Sequence, residues 1–162
     1  RWIAVYVVMA IGTLGLFVSL PHFGPARAGV VPTMHFDLYE PQKVVYHVTT
    51  GGGWFGREHA HLITVLNNHV NAVGEDSLDM HVVMQGDGLD LLIAARKDEK
   101  LAAAIDRLKK AGARFSICYN TLLQRHLDPY SDLYGVKQAD IVAAGVAEVT
   151  ALVNRGYAYL RI

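Results

Sequence analysis

The stretch DEKLAAAIDRLKKAGARFSICYNTLLQRHL, residues 98 to 127, changes pattern twice along its length. Residues 98–112 predict a helix with an acidic start, a basic last turn and a terminal glycine. The apolar, β-rich run at 113–119 predicts a strand, and 120–127 predict a short helix capped by Asn120. A strand between two helices is typical of a parallel sheet, because parallel neighbours need crossover connections.

The same alternation continues on both sides of this stretch. It predicts a three-layer α/β domain with a parallel sheet of about five strands and helices on both faces. The further strands are predicted at 43–50, 78–85, 139–144 and 157–162, and the further helices at 57–74 and 145–156. Ligands of such sheets bind at the carboxyl ends of the strands. These ends are Thr50–Gly53, Gln85–Gly88, Cys118–Asn120 and Ala143–Gly145.

The composition excludes some classes of protein. The 162 residues carry 15 basic and 15 acidic side chains, so there is no basic surface of the kind that nucleic acid requires. Cys118 is the one cysteine in the sequence, which rules out a disulfide within the chain. We therefore predict a domain stabilised by its packed core, with no nucleic-acid partner.

The first residues have a different character from the rest. Trp2 to Leu20 is a run of 19 residues without a charge, which is long enough for a helix to cross a bilayer. The ARA sequence at 26–28 resembles a signal-peptidase site, so a cleaved signal is the alternative to an uncleaved anchor. Either interpretation exports the remainder. We predict a single-pass membrane protein with an anchor or signal at 1–21, a linker at 22–42, and a soluble domain on the periplasmic side.

Two further patterns resemble binding sites but lack essential parts. Gly51, Gly53 and Gly56 form a G-x-G-x-x-G motif between a strand and a helix, but the acidic residue that a dinucleotide site needs after the second strand is missing. The eight histidines show no spacing, with a carboxylate or cysteine, that is typical of a zinc site. We therefore predict neither a bound cofactor nor a metal.

Cys118 has two interpretations on physical grounds. Free cysteine is among the most buried residue types, so the thiol could simply fill the core. Its position favours chemistry instead, because it ends a strand and precedes the start of a helix. The unpaired N–H groups and the positive dipole of a helix start stabilise a thiolate. The position alone leaves both interpretations open.

Four segments of the sequence form one recognisable set: KVVYHV at 43–48, VVMQGDGLDLL at 82–92, LKKAGARFSICYNTL at 108–122 and DIVAAGVAEVTALVNRGYAYLRI at 140–162. Together they resemble the DsrE/DsrF-like sulfur-relay family. The most specific part is G-x-x-F-x-x-C-x-N-T-L, which begins at Gly112 and contains Cys118, together with the closing GYAY. The resemblance implies that 43–162 form a DsrE-like α/β domain.

The resemblance also implies a function. Sulfurtransferase members of this family carry a persulfide on a cysteine at the place of Cys118, and members commonly assemble as trimers or hexamers. We therefore predict a sulfur carrier that exchanges sulfur with a donor and an acceptor protein. Asn120 and Thr121 belong to the family motif. We expect Gly53, Gly86 and Gly88 to leave room for a bulky donor above the sheet.

A non-catalytic role is the alternative. In that case the domain is an accessory subunit that docks on a larger membrane complex, and Cys118 is buried packing. No second cysteine in the sequence can resolve a persulfide as an internal disulfide, which suits a carrier better than an oxidoreductase.

Overall fold

The computed structural model describes residues 39–53 and 56–162. Strands and helices alternate along the described chain. In chain order the elements are β1 (Gln42–Val48), α1 (Arg57–Val73), β2 (Leu78–Met84), α2 (Asp90–Ala95), α3 (Glu99–Lys110), β3 (Arg114–Cys118), α4 (Tyr119–Arg125), β4 (Ile141–Val142), α5 (Gly145–Asn154) and β5 (Ala158–Arg161). Single turns of 3₁₀ helix at Gly86–Leu89 and Gln138–Asp140 precede α2 and β4.

The five strands form one parallel sheet in the order β4-β3-β2-β1-β5. The predicted parallel α/β sheet is therefore confirmed. Each β1-to-β4 connection steps to the next strand in the same direction, and the chain then returns across the sheet to place β5 beside β1. The carboxyl ends of β1, β2 and β3 consequently lie at one edge of the sheet, in adjacent positions.

Hydrophobic side chains form a separate cluster on each face of the sheet, because successive residues of a strand point to opposite faces. The larger cluster joins one face to α1, α2, α3 and α4, and includes Val44, Val82 and Ile117 from the strands. The smaller one joins Val45 and Val83 to α5. The sheet therefore has helices on both faces, and α5 is the helix that packs on the face with the smaller cluster.

Two details differ from the sequence-based predictions. The sequence predicts the glycine-rich segment after β2 only as a strand end, yet the chain continues there through a 3₁₀ turn into α2. β4 has two residues instead of the predicted six, because only Ile141 and Val142 pair with β3. No helix of the described residues is long and apolar enough to cross a membrane. The predicted anchor at 1–21 lies outside those residues.

Candidate functional site

Cys118 ends β3 and occupies the N-cap position of α4. Phe115 and Ile117 belong to the larger core, so the alternation of the strand places Cys118 on the opposite face, with α5. The residue is 5% exposed. The thiol is thus buried between the starts of two helices at the carboxyl edge of the sheet.

The N–H and O–H groups that act on this sulfur belong to both helix starts. Burial of the thiol acts to raise its pKa, but it is outweighed by the Gly145 N–H, by the hydroxyl and N–H of Thr121 and by the Asn120 N–H, which together lower the pKa below its ordinary value. Gly145 begins α5, and the other two residues lie in the first turn of α4. Donors that converge on one atom favour its anion, so the site stabilises a thiolate.

Thr121 connects the sulfur to the loop after β2. Its side chain is buried, and its hydroxyl oxygen accepts a hydrogen bond from the Gly86 N–H at 3.0 Å. Accepting this bond uses a lone pair of the oxygen, and the hydroxyl proton remains available to donate to Cys118. Arg125 ties α4 to the same loop, since its guanidinium donates to the Gly86 carbonyl oxygen at 2.9 Å and to the Asp90 carboxylate at 2.7 Å.

Asn120 has a different place from the predicted one. The sequence predicts it as the cap of the helix, but α4 begins one residue earlier and Cys118 itself takes the N-cap position, without a side-chain cap bond. The Asn120 side chain is exposed and its contribution to the site is its backbone N–H. Asparagine is a strong cap signal, and here the extended conformation of Cys118 outweighs it because the strand continues through that residue.

The predicted glycines divide between two places. Gly86 belongs to the thiol site through Thr121, whereas Gly53 lines a cleft of about 920 Å³ at the carboxyl end of β1. That cleft also contains Glu58, His59, Asp87 and Asp90, and Cys118 is not among the described residues that line it. The structure therefore does not bring Gly53 to the thiol.

Gly88 has a packing role. It is buried, and a Cβ at this position would overlap the Val48 carbonyl oxygen and stand 2.8 Å from the carbonyl carbon. The 3₁₀ turn that contains Gly88 can therefore lie against the end of β1 only because the residue has no side chain. In the described part of the chain, no group of three or more His, Cys, Asp or Glu side chains is placed to hold a metal ion.

Gln85 and Gly145 are site residues that the sequence does not single out, although it places both on the ligand edge. A Cβ on Gly145 would stand 3.4 Å from the Cys118 Cβ and 2.6 Å from the Gln85 Oε1, so both side chains pack directly on this glycine. The signals that could have found them are a glycine immediately after a strand and a polar residue immediately before a glycine turn. Neither signal is specific without the fold.

Comparison with known proteins agrees with this architecture. None of the curated proteins matches the chain. The solved structure of MTH1491, a protein of unknown function from Methanobacterium thermoautotrophicum, is similar with a TM-score of 0.60 and 27% identity, over 75% of this chain and 99% of that one. The profile of the DsrE/DsrF-like family matches residues 43–162. This match covers all five strands, apart from Gln42 at the start of β1, and all the described helices, and the chain belongs to the DsrE/DsrF-like family.

Proposed function

We propose that this protein is a sulfur carrier that holds a persulfide on Cys118. The observation that carries the proposal is the convergence of hydrogen-bond donors from α4 and α5 on the one buried sulfur. A cysteine that only fills a core does not need such donors, since a neutral thiol is a weak acceptor. A thiolate, by contrast, is the reactive form in sulfur exchange.

The proposed exchange is a transfer between sulfurs without net oxidation. The Cys118 thiolate attacks the outer sulfur of a donor persulfide, the sulfur–sulfur bond of the donor breaks, and the donor leaves as a thiolate with the electron pair. The new bond joins the Cys118 sulfur to the transferred sulfur, which completes the Cys118 persulfide. Attack by an acceptor thiolate on the outer sulfur reverses these events and restores the Cys118 thiolate.

Loading of Cys118 tests the function directly. We expect that incubation of the protein with a small persulfide adds one sulfur atom to Cys118, because the site stabilises the attacking thiolate. Intact-mass spectrometry before and after reduction measures the adduct, and Cys118→Ser is expected to abolish it while circular dichroism stays unchanged. A wild-type thiol that takes no sulfur, and that is alkylated only after unfolding, would contradict the proposal.

Thr121→Val gives a graded version of this test. Valine has nearly the shape of threonine but removes the hydroxyl that donates to Cys118, so the pKa of the thiol is expected to rise. We expect alkylation of unloaded Cys118 by iodoacetamide at neutral pH to slow roughly five-fold, which corresponds to the loss of one ordinary hydrogen bond. Thr121→Ser keeps the hydroxyl and is the matched control. Equal rates for both variants would show that the hydroxyl does not act on the sulfur.

We also propose that the protein is exported, anchored in the membrane by residues 1–21 and assembled as a homo-oligomer, most simply a trimer. The uncharged run from Trp2 to Leu20 supports the anchor. The exposed residues of the edge strand β5 support the assembly, because an uncovered strand edge is a surface that proteins usually bury. N-terminal sequencing that starts at Gly29 would contradict the anchor. Light scattering that gives the mass of one chain would contradict the assembly.

The low exposure of Cys118 favours a second candidate function. A thiol that is 5% exposed could be packing in an accessory subunit that docks on a larger membrane complex. This candidate predicts an unreactive thiol, and the donors around the sulfur argue against it. The loading experiment separates the two functions, since only the carrier takes up sulfur in the folded state.

A further inference from the structure

Gln85 is the polar neighbour of Cys118 within the sheet. Met84 and Ile117 are partners in the β2–β3 register, so Gln85 and Cys118 stand side by side where the two strands end. On its other side Cys118 is in register with Val142, which is apolar. A group that extends from the sulfur along this face therefore finds polar side-chain atoms towards β2.

Gly145 keeps the Gln85 amide close to the sulfur. This glycine does not need an unusual backbone conformation, since its φ lies outside the left-handed region. Its lack of a side chain instead provides the space that the Gln85 Oε1 occupies, 2.6 Å from where a Cβ would stand. The same residue donates its N–H to Cys118, so the amide side chain and the thiol pack on one residue.

His47 is the nearest histidine on the other side of Gln85 and acts on it electrostatically. Burial lowers the pKa of His47, the Gln85 side chain opposes this, and the charge of Arg161 adds to the lowering. His47 is therefore a neutral ring at neutral pH. Its Nδ1 lies 3.1 Å from the Tyr159 hydroxyl on β5. Tyr159, His47 and Gln85 thus lie in a row that runs from the sheet edge towards Cys118, although the buried His47 Nε2 has no hydrogen-bond partner among the described residues.

The transfer of sulfur moves the negative charge along this row. In the unloaded protein the charge is on the Cys118 sulfur, where the N–H groups of α4 and α5 meet it. In the persulfide it is on the outer sulfur, one bond of about 2.05 Å farther out. The helix donors stay with the inner sulfur, so the outer one needs a donor of its own. An amide NH₂ has two donors that can meet a sulfur anion.

We propose that Gln85 contacts the outer sulfur of the Cys118 persulfide and stabilises its charge through the amide NH₂. The inference rests on the carrier function proposed above. In it, Gln85 acts on the persulfide and not on the unloaded thiolate. It separates the two halves of the site. The helix starts stabilise the thiolate, and Gln85 stabilises the persulfide.

The test compares loading with reactivity in Gln85 variants of the full-length chain. Gln85→Met has a similar length and no donor, and Gln85→Glu has the same shape with a charge that repels the outer sulfur. At a fixed ratio of glutathione persulfide to glutathione, we expect the equilibrium between loaded and unloaded Cys118 to fall roughly ten-fold in Gln85→Met, the effect of losing a hydrogen bond to a charged group. It should fall further in Gln85→Glu.

Alkylation of the unloaded thiol is the readout that a merely structural role would change. We expect the iodoacetamide rate of Gln85→Met to stay within about two-fold of wild type, because the donors to the thiolate are untouched. Gly145→Ala is a second variant, since its methyl group displaces the Gln85 amide but keeps the backbone N–H. We expect Gly145→Ala to lower the loaded fraction of Cys118, as Gln85→Met does.

The outcomes distinguish this inference from the function on which it rests. If wild-type protein loads and Gln85→Met loads to the same extent, the role of Gln85 is wrong and the carrier function stands. If Gln85→Met slows alkylation as much as it lowers loading, Gln85 supports the thiol site as a whole and the inference is overturned. If the wild type does not load, the proposed function fails and this inference fails with it.

Discussion

Gly88→Ala is expected to lower the free energy of unfolding by about 3 kcal/mol, at the upper end of what overpacking of a core usually costs. The methyl group would overlap the carbonyl oxygen of Val48, which is backbone at the end of β1 and cannot rotate away. That oxygen also accepts the Gln85 N–H at 3.1 Å. The turn after β2 must therefore separate from β1, and because Gly86 in the same turn bonds Thr121, the thiol site is disturbed as well.

Chemical denaturation measures this effect through the transition midpoint at constant slope. Gly51→Ala is the matched control, since the atom closest to its new Cβ, at 2.6 Å, is the end of the flexible Asp90 side chain. We expect the control to lose much less stability than Gly88→Ala. A Gly88→Ala protein with the midpoint of wild type would contradict the packing role of this glycine.

Protonation of His81 is expected to lower the free energy of unfolding by about 3 kcal/mol between pH 6.5 and pH 4. The residue lies on β2 and is 9% exposed. Its ring packs edge-on against the Tyr157 ring, with 5.3 Å between the two ring centroids. Burial, followed by the positive charge of Arg114, lowers its pKa to about 4, while Asp79 acts in the opposite direction and Arg155 adds to the lowering. Its Nδ1 is buried without a hydrogen-bond partner among the described residues.

The sign follows from proton uptake in the two states. Below pH 6.5 the unfolded chain protonates His81 and the folded one does not, so acid favours unfolding until the pH reaches the folded pKa. His81→Phe keeps a ring but cannot titrate. We expect its free energy of unfolding to change less between pH 6.5 and 4 than that of wild type, with parallel curves above pH 7. Parallel curves over the whole range would show that His81 is not the responsible group.

The sheet could be predicted from the sequence because its signals are local. Apolar runs such as those around Val82 and Ile117 are bounded by glycines or charged residues, and each lies between helical patterns. The failures come from contacts that are not local. Helix α2 follows two glycines that suggest a loop, and it forms because Leu91 and Leu92 are buried in the larger core. β4 is short because pairing with β3 ends after Val142.

The candidate site was predictable only in part, for the same reason. Cys118 stands out as a lone thiol at a strand end, and Thr121 follows it in the motif. Gly145 and Gln85 lie 27 and 33 residues away from it in sequence. No spacing rule connects them, because the parallel sheet brings them together by placing the ends of β2 and β3 and the start of α5 at one edge. Asn120 shows the opposite case, a strong local signal that the tertiary structure overrides.

The two-helix environment of Cys118 has a consequence for the chain before it is folded. Two of the backbone donors follow the cysteine immediately, but the third, on Gly145, arrives only when β4 and α5 have docked. A nascent or unfolded chain thus carries an ordinary, mostly protonated thiol, which reacts slowly with oxidants and with other sulfur compounds. Docking of the last strands and of α5 therefore completes the set of donors, and the pKa of Cys118 is fully lowered only when the fold is complete.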